Sequence, residues 1–259
     1  MKEIRICDNG NVDLTKNLCE KYKLGIEVQG FYDPTIDVES LKNDCRVAFN
    51  SVSGGRSLHA PFFELNLGTK MKGVRDTTMN MFNFAYSIAK DLGCTEMIVH
   101  NGYIPGTSWY SGWINRAVTF WQEFFADKDD SITICIENQF ENDSELIKME
   151  IDAVNDPRLK ACLDIGHVNA NSSVPVSEWI EDLGPRIGYL HLHNNHGKRT
   201  IRGYNGDDEH LGLSTGTIDI ENVFSLLEQH CPDAIWAIES KIDYLEDSVK
   251  FLQNLNYLD

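Results

Sequence analysis

Eight short apolar runs alternate with longer stretches of helical period from one end of this chain to the other, and that alternation leaves few folds open. The runs are Glu3–Cys7, Gly25–Phe31, Ser57–Pro61, Met97–Asn101, Ile132–Asn138, Ala161–Gly166, Ile187–His193 and Ile235–Ser240. Strands joined through helices must lie parallel and be covered on both faces. Eight such units in 259 residues predict an α/β protein, a single-domain (β/α)8 barrel over 1–259. A doubly wound open sheet is the alternative, but no G-x-G-x-x-G or P-loop supports a nucleotide site at a helix start. The helical pattern is clearest in Thr77–Leu92, where Met81, Ala85, Ile88, Ala89 and Leu92 share one face and Gly93 can end the helix. Glu145–Val154 carries Ile147, Ile151 and Val154 before Asp156 and Pro157 stop it.

No Pro/Gly/Ser-rich linker, charge block or short-period repeat divides the chain. The N-terminus has no apolar signal core, and no segment approaches the roughly 18 apolar residues of a membrane span. The expected location is therefore cytoplasmic, with no membrane partner. Seven cysteines without a C-x-x-C pair give neither a disulfide framework nor a thiolate zinc site. A net charge of -17 opposes a polyanion, so nucleic acid is a disfavoured partner. The sequence leaves open whether the chain forms a homo-oligomer.

In a barrel of this kind the active site lies at the C-terminal ends of the strands, so polar residues late in apolar runs are the ones to collect. They are His59, His100, Glu137, Asp164 with His167, His193 and Glu239, joined by Asp208 and His210 from the loop after the seventh run. Seven of the eight histidines fall in these segments, and only His230 lies in a helical stretch. Two carboxylates about 4 Å apart repel by about 4 kcal/mol at an effective dielectric of about 20, so Glu137, Asp164, Asp208 and Glu239 need protons or cations between them. Imidazole and carboxylate ligands without thiolate suit a divalent Zn, Mn, Fe or Co ion. His191, one layer deeper than His193 on the same strand face, reads as a core histidine or a support for the ligands.

The segments LHAPFFELN, MIVHNG, ICIEN, LDIGHVNA, YLHLHNN, DEHLGLSTGTID and WAIES together resemble the xylose isomerase-like TIM-barrel superfamily. That group holds sugar and sugar-phosphate isomerases and epimerases, dehydratases and the endonuclease IV type of apurinic endonuclease. The likeness to the isomerase branch implies one divalent metal on Glu137, Asp164, His193 and Glu239. Glu137 and Glu239 would be the catalytic proton carriers and His167 would lie near the substrate. The likeness to the endonuclease branch implies additional metals on His59, His100, His167, Asp208 and His210, and phosphodiester chemistry. Departures from that branch are ESK after the eighth run, DIGH in the sixth segment and ENQ in the fifth; His196 stands where relatives commonly carry a carboxylate.

The expected activity is that of a metal-dependent isomerase or epimerase acting on a sugar or sugar phosphate. The alternatives are a multinuclear metal phosphoesterase of the endonuclease IV type and a non-catalytic sugar-binding barrel, which would not need a carboxylate on each side of its ligand. Lys198, Arg199 and Arg202 are placed to meet a substrate phosphate or carboxylate. Trp109, Tyr110 and Trp113 either stack on a sugar at the barrel mouth or pack in the first turn of a helix; Trp109 and Trp113 are the candidate substrate contacts.

Overall fold

A computed structural model describes residues 2–197 and 208–258. Eight parallel strands close into a barrel in chain order: β1 Ile4–Cys7, β2 Gly25–Val28, β3 Arg56–His59, β4 Glu96–His100, β5 Thr133–Glu137, β6 Leu159–Asp164, β7 Ile187–Leu192 and β8 Ile235–Ile238, with β8 paired back to β1. The surrounding helices are α1 Val12–Tyr22, α2 Val38–Phe49, α3 Lys72–Leu92, α4 Tyr110–Phe125, α5 Glu145–Val154, α6 Ile165–Asn171, α7 Val176–Leu183, α8 Ile220–His230 and α9 Ile242–Asn254. The (β/α)8 expectation holds. No helix of the described residues is long and apolar enough to cross a membrane.

Local chemistry sets most boundaries. Gly93 ends α3 in the left-handed conformation (φ 69°) that its missing Cβ permits, while the helix starts at Lys72, a turn before its apolar face becomes readable. Helix α5 spans the expected residues, and Asn155 caps it at φ 49°. The sixth run divides differently from the expectation. Asp164 ends β6 and N-caps α6, its carboxylate accepting the His167 backbone N–H at 2.6 Å, so Ile165 and Gly166 are helical.

Two apolar layers result. Outward side chains such as Leu58, Val99, Ile136, Leu163, Leu190 and Ile238 join the helices in the main core. The lumen is filled by Cys7, Ile98, Cys135, Cys162, Tyr189 and Ala237. Each of the last five precedes a polar barrel-top residue by two positions: His100, Glu137, Asp164, His191 and Glu239. Period-two alternation thus turns one packed layer into a floor and the next into a site. Between β6 and β7 the register slips: Ala161 pairs with Ile187 but Cys162 with Tyr189, so Gly188 is the extra residue of a bulge.

Candidate metal centre

The upper layer opens into a cavity of about 560 Å³ lined by His59, His100, Glu137, His167, Asp208, His210 and Glu239, with Tyr32, Phe62 and Phe63 forming an aromatic wall. Glu137 is its hub. Its Oε2 lies 3.1 Å from Nε2 of both His59 and His100, and its Oε1 lies 3.2 Å from Nδ1 of both His167 and His191. Asp164 stands 3.2 Å from His193 Nε2. Asp208 Oδ2 is 3.1 Å from His210 Nε2 and 3.2 Å from His167 Nε2. Glu239 accepts a 2.6 Å hydrogen bond from Gln29 on Oε1, while its Oε2 is 3.3 Å from His191 Nδ1.

Burial and crowding move the titrations apart. Burial alone would push Glu137 up, but the His191 and His100 rings more than offset it and hold the carboxyl well below its usual range. Burial likewise opposes the ionised form of Asp164, yet His167 and His193 hold it at about 2. Glu239 goes the other way: burial raises it, and the carboxylates of Glu137 and Asp164 add to the shift against His191 and His210. Burial works against charge on His167 and His210, but Asp164 and Asp208 outweigh it, raising His167 well above the ordinary value and His210 to about 9.

Among the described residues, and leaving the thiols aside, the imidazole and carboxylate donors form three groups, each with nitrogen and oxygen atoms within 4.8 Å of one another: His59, His100 and Glu137; Glu137, Asp164, His191 and Glu239; and His167, His193, Asp208 and His210. Two observations fit these groups to divalent cations. Nδ1–H groups of His59, His167 and His210 donate to the carbonyls of Ala60, Asn138 and Glu239 at 2.8–2.9 Å, which aims each Nε2 into the cavity, the usual arrangement behind a ligating imidazole. In addition, His191 Nδ1, Glu239 Oε2 and Asp208 Oδ1 are buried without a hydrogen-bond partner among the described residues, although His191 Nδ1 and Glu239 Oε2 stand 3.3 Å apart and Asp208 Oδ1 lies 3.7 Å from His193 Nε2. The nearby thiols do not compete, because burial pushes both Cys7 and Cys162 up and keeps them protonated.

All of His59, His100, Glu137, Asp164, His167, His193, Asp208, His210 and Glu239 meet at this mouth. Within it, His191 rather than His193 stands among Glu137, Asp164 and Glu239, and His193 joins them through Asp164. Strand parity explains this: both rings point inward, with His193 one step past the end of β7. Trp109 and Trp113 require correction as substrate contacts. Trp113 is 1% exposed inside α4, its indole donating to Asn66, and Trp109 is 89% exposed beside a separate surface depression. Neither lines the cavity; Tyr32, Phe62 and Phe63 do. His196 is an outer pair with Glu209, at 2.8 Å. Lys198, Arg199 and Arg202 lie outside the described residues. Sequence reasoning missed Glu27, which is fully buried and has both carboxylate oxygens 3.1 Å from His191 Nε2.

Residues 14–255 match the family model described as Xylose isomerase-like TIM barrel. The uncharacterized protein MJ1311 of Methanocaldococcus jannaschii is 30% identical over 209 residues, covering 74% of this chain and 66% of that protein, so the chain spans slightly less than two thirds of its relative's length. Among solved structures, the TTHB071 protein from Thermus thermophilus, soaked with ZnCl2, superposes with a TM-score of 0.76 at 24% identity, covering 98% of this chain and 97% of that one. A D-tagatose 3-epimerase-like protein gives a TM-score of 0.77 at 22% identity, with 98% and 96% covered. At these identities the two superpositions establish the shared barrel.

Proposed function

Because the chain belongs to the xylose isomerase-like TIM barrel family, we propose that it is a divalent-metal-dependent isomerase or epimerase acting on a sugar or sugar phosphate by carboxylate-mediated proton transfer. The observation that carries this reading is that Glu137, at the end of β5, and Glu239, just past β8, face one cavity of about 560 Å³ from separate strands. A space of that size suits a small polyhydroxylated molecule.

Glu137, Asp164 and Glu239, joined by His193 through its place beside Asp164, would hold the ion, Mn, Co, Zn or Fe, which when bound supplies Lewis acidity toward carbonyl and hydroxyl oxygens. The two glutamates carry the proton: one removes it from carbon and the other returns one to the neighbouring carbon or the opposite face. Oε2 of Glu239 is free for that role, since Gln29 occupies Oε1. His167, fixed through Nδ1 on the Asn138 carbonyl, presents Nε2 to a substrate hydroxyl. Phe62 and Phe63, packed at a centroid distance of 4.3 Å with their rings tilted by 38°, shield the reacting carbons from water.

A second reading, phosphoester hydrolysis at a multinuclear centre, is favoured by the two extra donor groups on His59 and His100 and on His167, Asp208 and His210. One experiment separates the readings. Ketoses, aldoses and their phosphates are followed by NMR in D2O with Mn²⁺ or Co²⁺ supplied. Proton transfer places deuterium beside a substrate carbonyl, and Glu137→Gln or Glu239→Gln abolishes that exchange, while His59→Ala with His100→Ala leaves much of it. Phosphate release from a diester without carbon exchange, lost in the double variant, establishes the hydrolase instead.

A further inference from the structure

Beneath the metal-side carboxylates lies a second row of polar groups for which the proposed chemistry has no use. Its centre is Glu27 on β2, at 0% exposure inside the lumen. A charged group there is costly unless every lone pair is engaged. The engagements are specific: His191 Nε2 at 3.1 Å from both oxygens, Gln29 Nε2 donating to Oε1 at 3.1 Å, and the Cys7 thiol donating to Oε1 at 3.5 Å. Two of these partners each reach one step further. The His191 ring presents Nδ1 to Glu137 and Glu239, at 3.2 and 3.3 Å. The Gln29 amide, whose backbone N–H is anchored on Asp8 at 2.9 Å, also donates to Glu239 Oε1 at 2.6 Å.

We propose that Glu27 is the positioning residue of the metal centre, holding His191 across both of its carboxylate oxygens and Gln29 on Oε1 so that Glu137 and Glu239 keep their placement when a cation enters. The geometry gives each arm a separate task. His191 spaces the two glutamates, and Gln29 occupies one oxygen of Glu239 and leaves the other to the cavity. Glu27 touches neither the cavity nor the substrate and acts only through these two residues. A carboxamide at this position keeps one acceptor oxygen for Gln29, but puts a donor NH2 in place of the second oxygen, so the two-oxygen hold on His191 Nε2 is lost.

The inference rests on the metal-centre reading above, and the test keeps the two apart. Co²⁺ alone is titrated into metal-free wild type, Glu27→Gln and Gln29→Leu, and the thermal midpoint of each metal-free protein is measured alongside. Loss of a supporting carboxylate weakens Co²⁺ binding by about 10–100-fold, and the metal-free midpoint of Glu27→Gln is expected to fall as well, because one partner of a buried pair has lost its charge. Gln29→Leu breaks a single arm and buries no new charge; about a tenfold loss is expected of it, and it decides the matter should Glu27→Gln not fold. Variants that bind Co²⁺ within about twofold of wild type overturn the positioning role and leave the metal centre intact. A lowered metal-free midpoint with unchanged affinity overturns it as well, because that is the mark of a purely structural residue. Wild type that takes up no Co²⁺ removes the metal centre and this inference together.

Discussion

Gly166 and His193 are packed so closely that a Cβ at residue 166 would overlap the imidazole of His193. The first turn of α6 lies flat on that ring, which leaves its Nε2 3.2 Å from Asp164. Space, not backbone freedom, fixes the glycine. Alanine is the better helix former by about 1 kcal/mol, whereas forced overlap in a packed interior costs about 1–3 kcal/mol. Gly166→Ala is therefore expected to lower stability in urea denaturation and to weaken Co²⁺ uptake. A gain in stability with uptake unchanged would contradict the packing.

Glu150 carries a pH dependence of its own. It is fully buried between the Trp121 indole, at 2.7 Å, and the Asn101 amide, at 3.2 Å. Burial pushes its carboxyl from the ordinary 4.5 up to about 8, against the lowering effect of those two hydrogen bonds. The folded state thus keeps a proton that the unfolded chain has released. Its contribution is complete below about pH 4.5 and is lost as pH rises through about 8. Relative to wild type, Glu150→Gln should gain stability progressively across that window, reaching a few kcal/mol in denaturant titrations on the alkaline side. A difference that stays flat with pH would show that Glu150 is ionised in the fold.

The two tryptophans of the TSWYSGW segment should separate sharply. Trp113 is buried against Gly68 and Asn66, so Trp113→Ala is expected to cost about 3–5 kcal/mol. Trp109 is nearly free of the protein, and Trp109→Ala should change stability by no more than about 0.5 kcal/mol. Denaturant unfolding of both variants checks the pair. Equal costs would place Trp109 in the packing as well.

Duplex DNA, with or without an abasic site, should not bind tightly at physiological salt. Phosphate neutralisation supplies most non-specific affinity, and the net charge is -17. Fluorescence anisotropy with labelled duplexes measures this directly. Nanomolar binding, or incision at an abasic site, would move the phosphoesterase reading to first place.

The barrel was legible because its strands are buried on both faces and therefore read as apolar runs, and the mouth residues because each ends such a run. Glu27 escaped for the complementary reason. In GIEVQ it sits in mid-strand, where a lone charge suggests a solvent face. A barrel strand has no solvent face, and once closure is accepted, Gly25, Glu27 and Gln29 must share the lumen side. The aromatic wall of Tyr32, Phe62 and Phe63 was hidden because loop aromatics show no period. Trp109 and Trp113 misled because following a strand in sequence differs from lining its mouth: the loop of residues 101–109 carries them outward before α4 begins.

The slip between β6 and β7 makes the strand's phase as consequential as its residue types. Upstream of Gly188, Ile187 points outward into the helical layer; downstream, Tyr189 and His191 point inward. Were Gly188 paired in regular alternation and not bulged, the same letters would turn Leu190 and Leu192 toward the lumen and bury both histidines among the helices. Drawing Gly188 into the ladder would therefore act as a frameshift in three dimensions, exchanging the two faces of β7 in one step, whereas deleting it would only straighten the strand. That exchange is a change of backbone register, which is a different kind of change from any side-chain replacement.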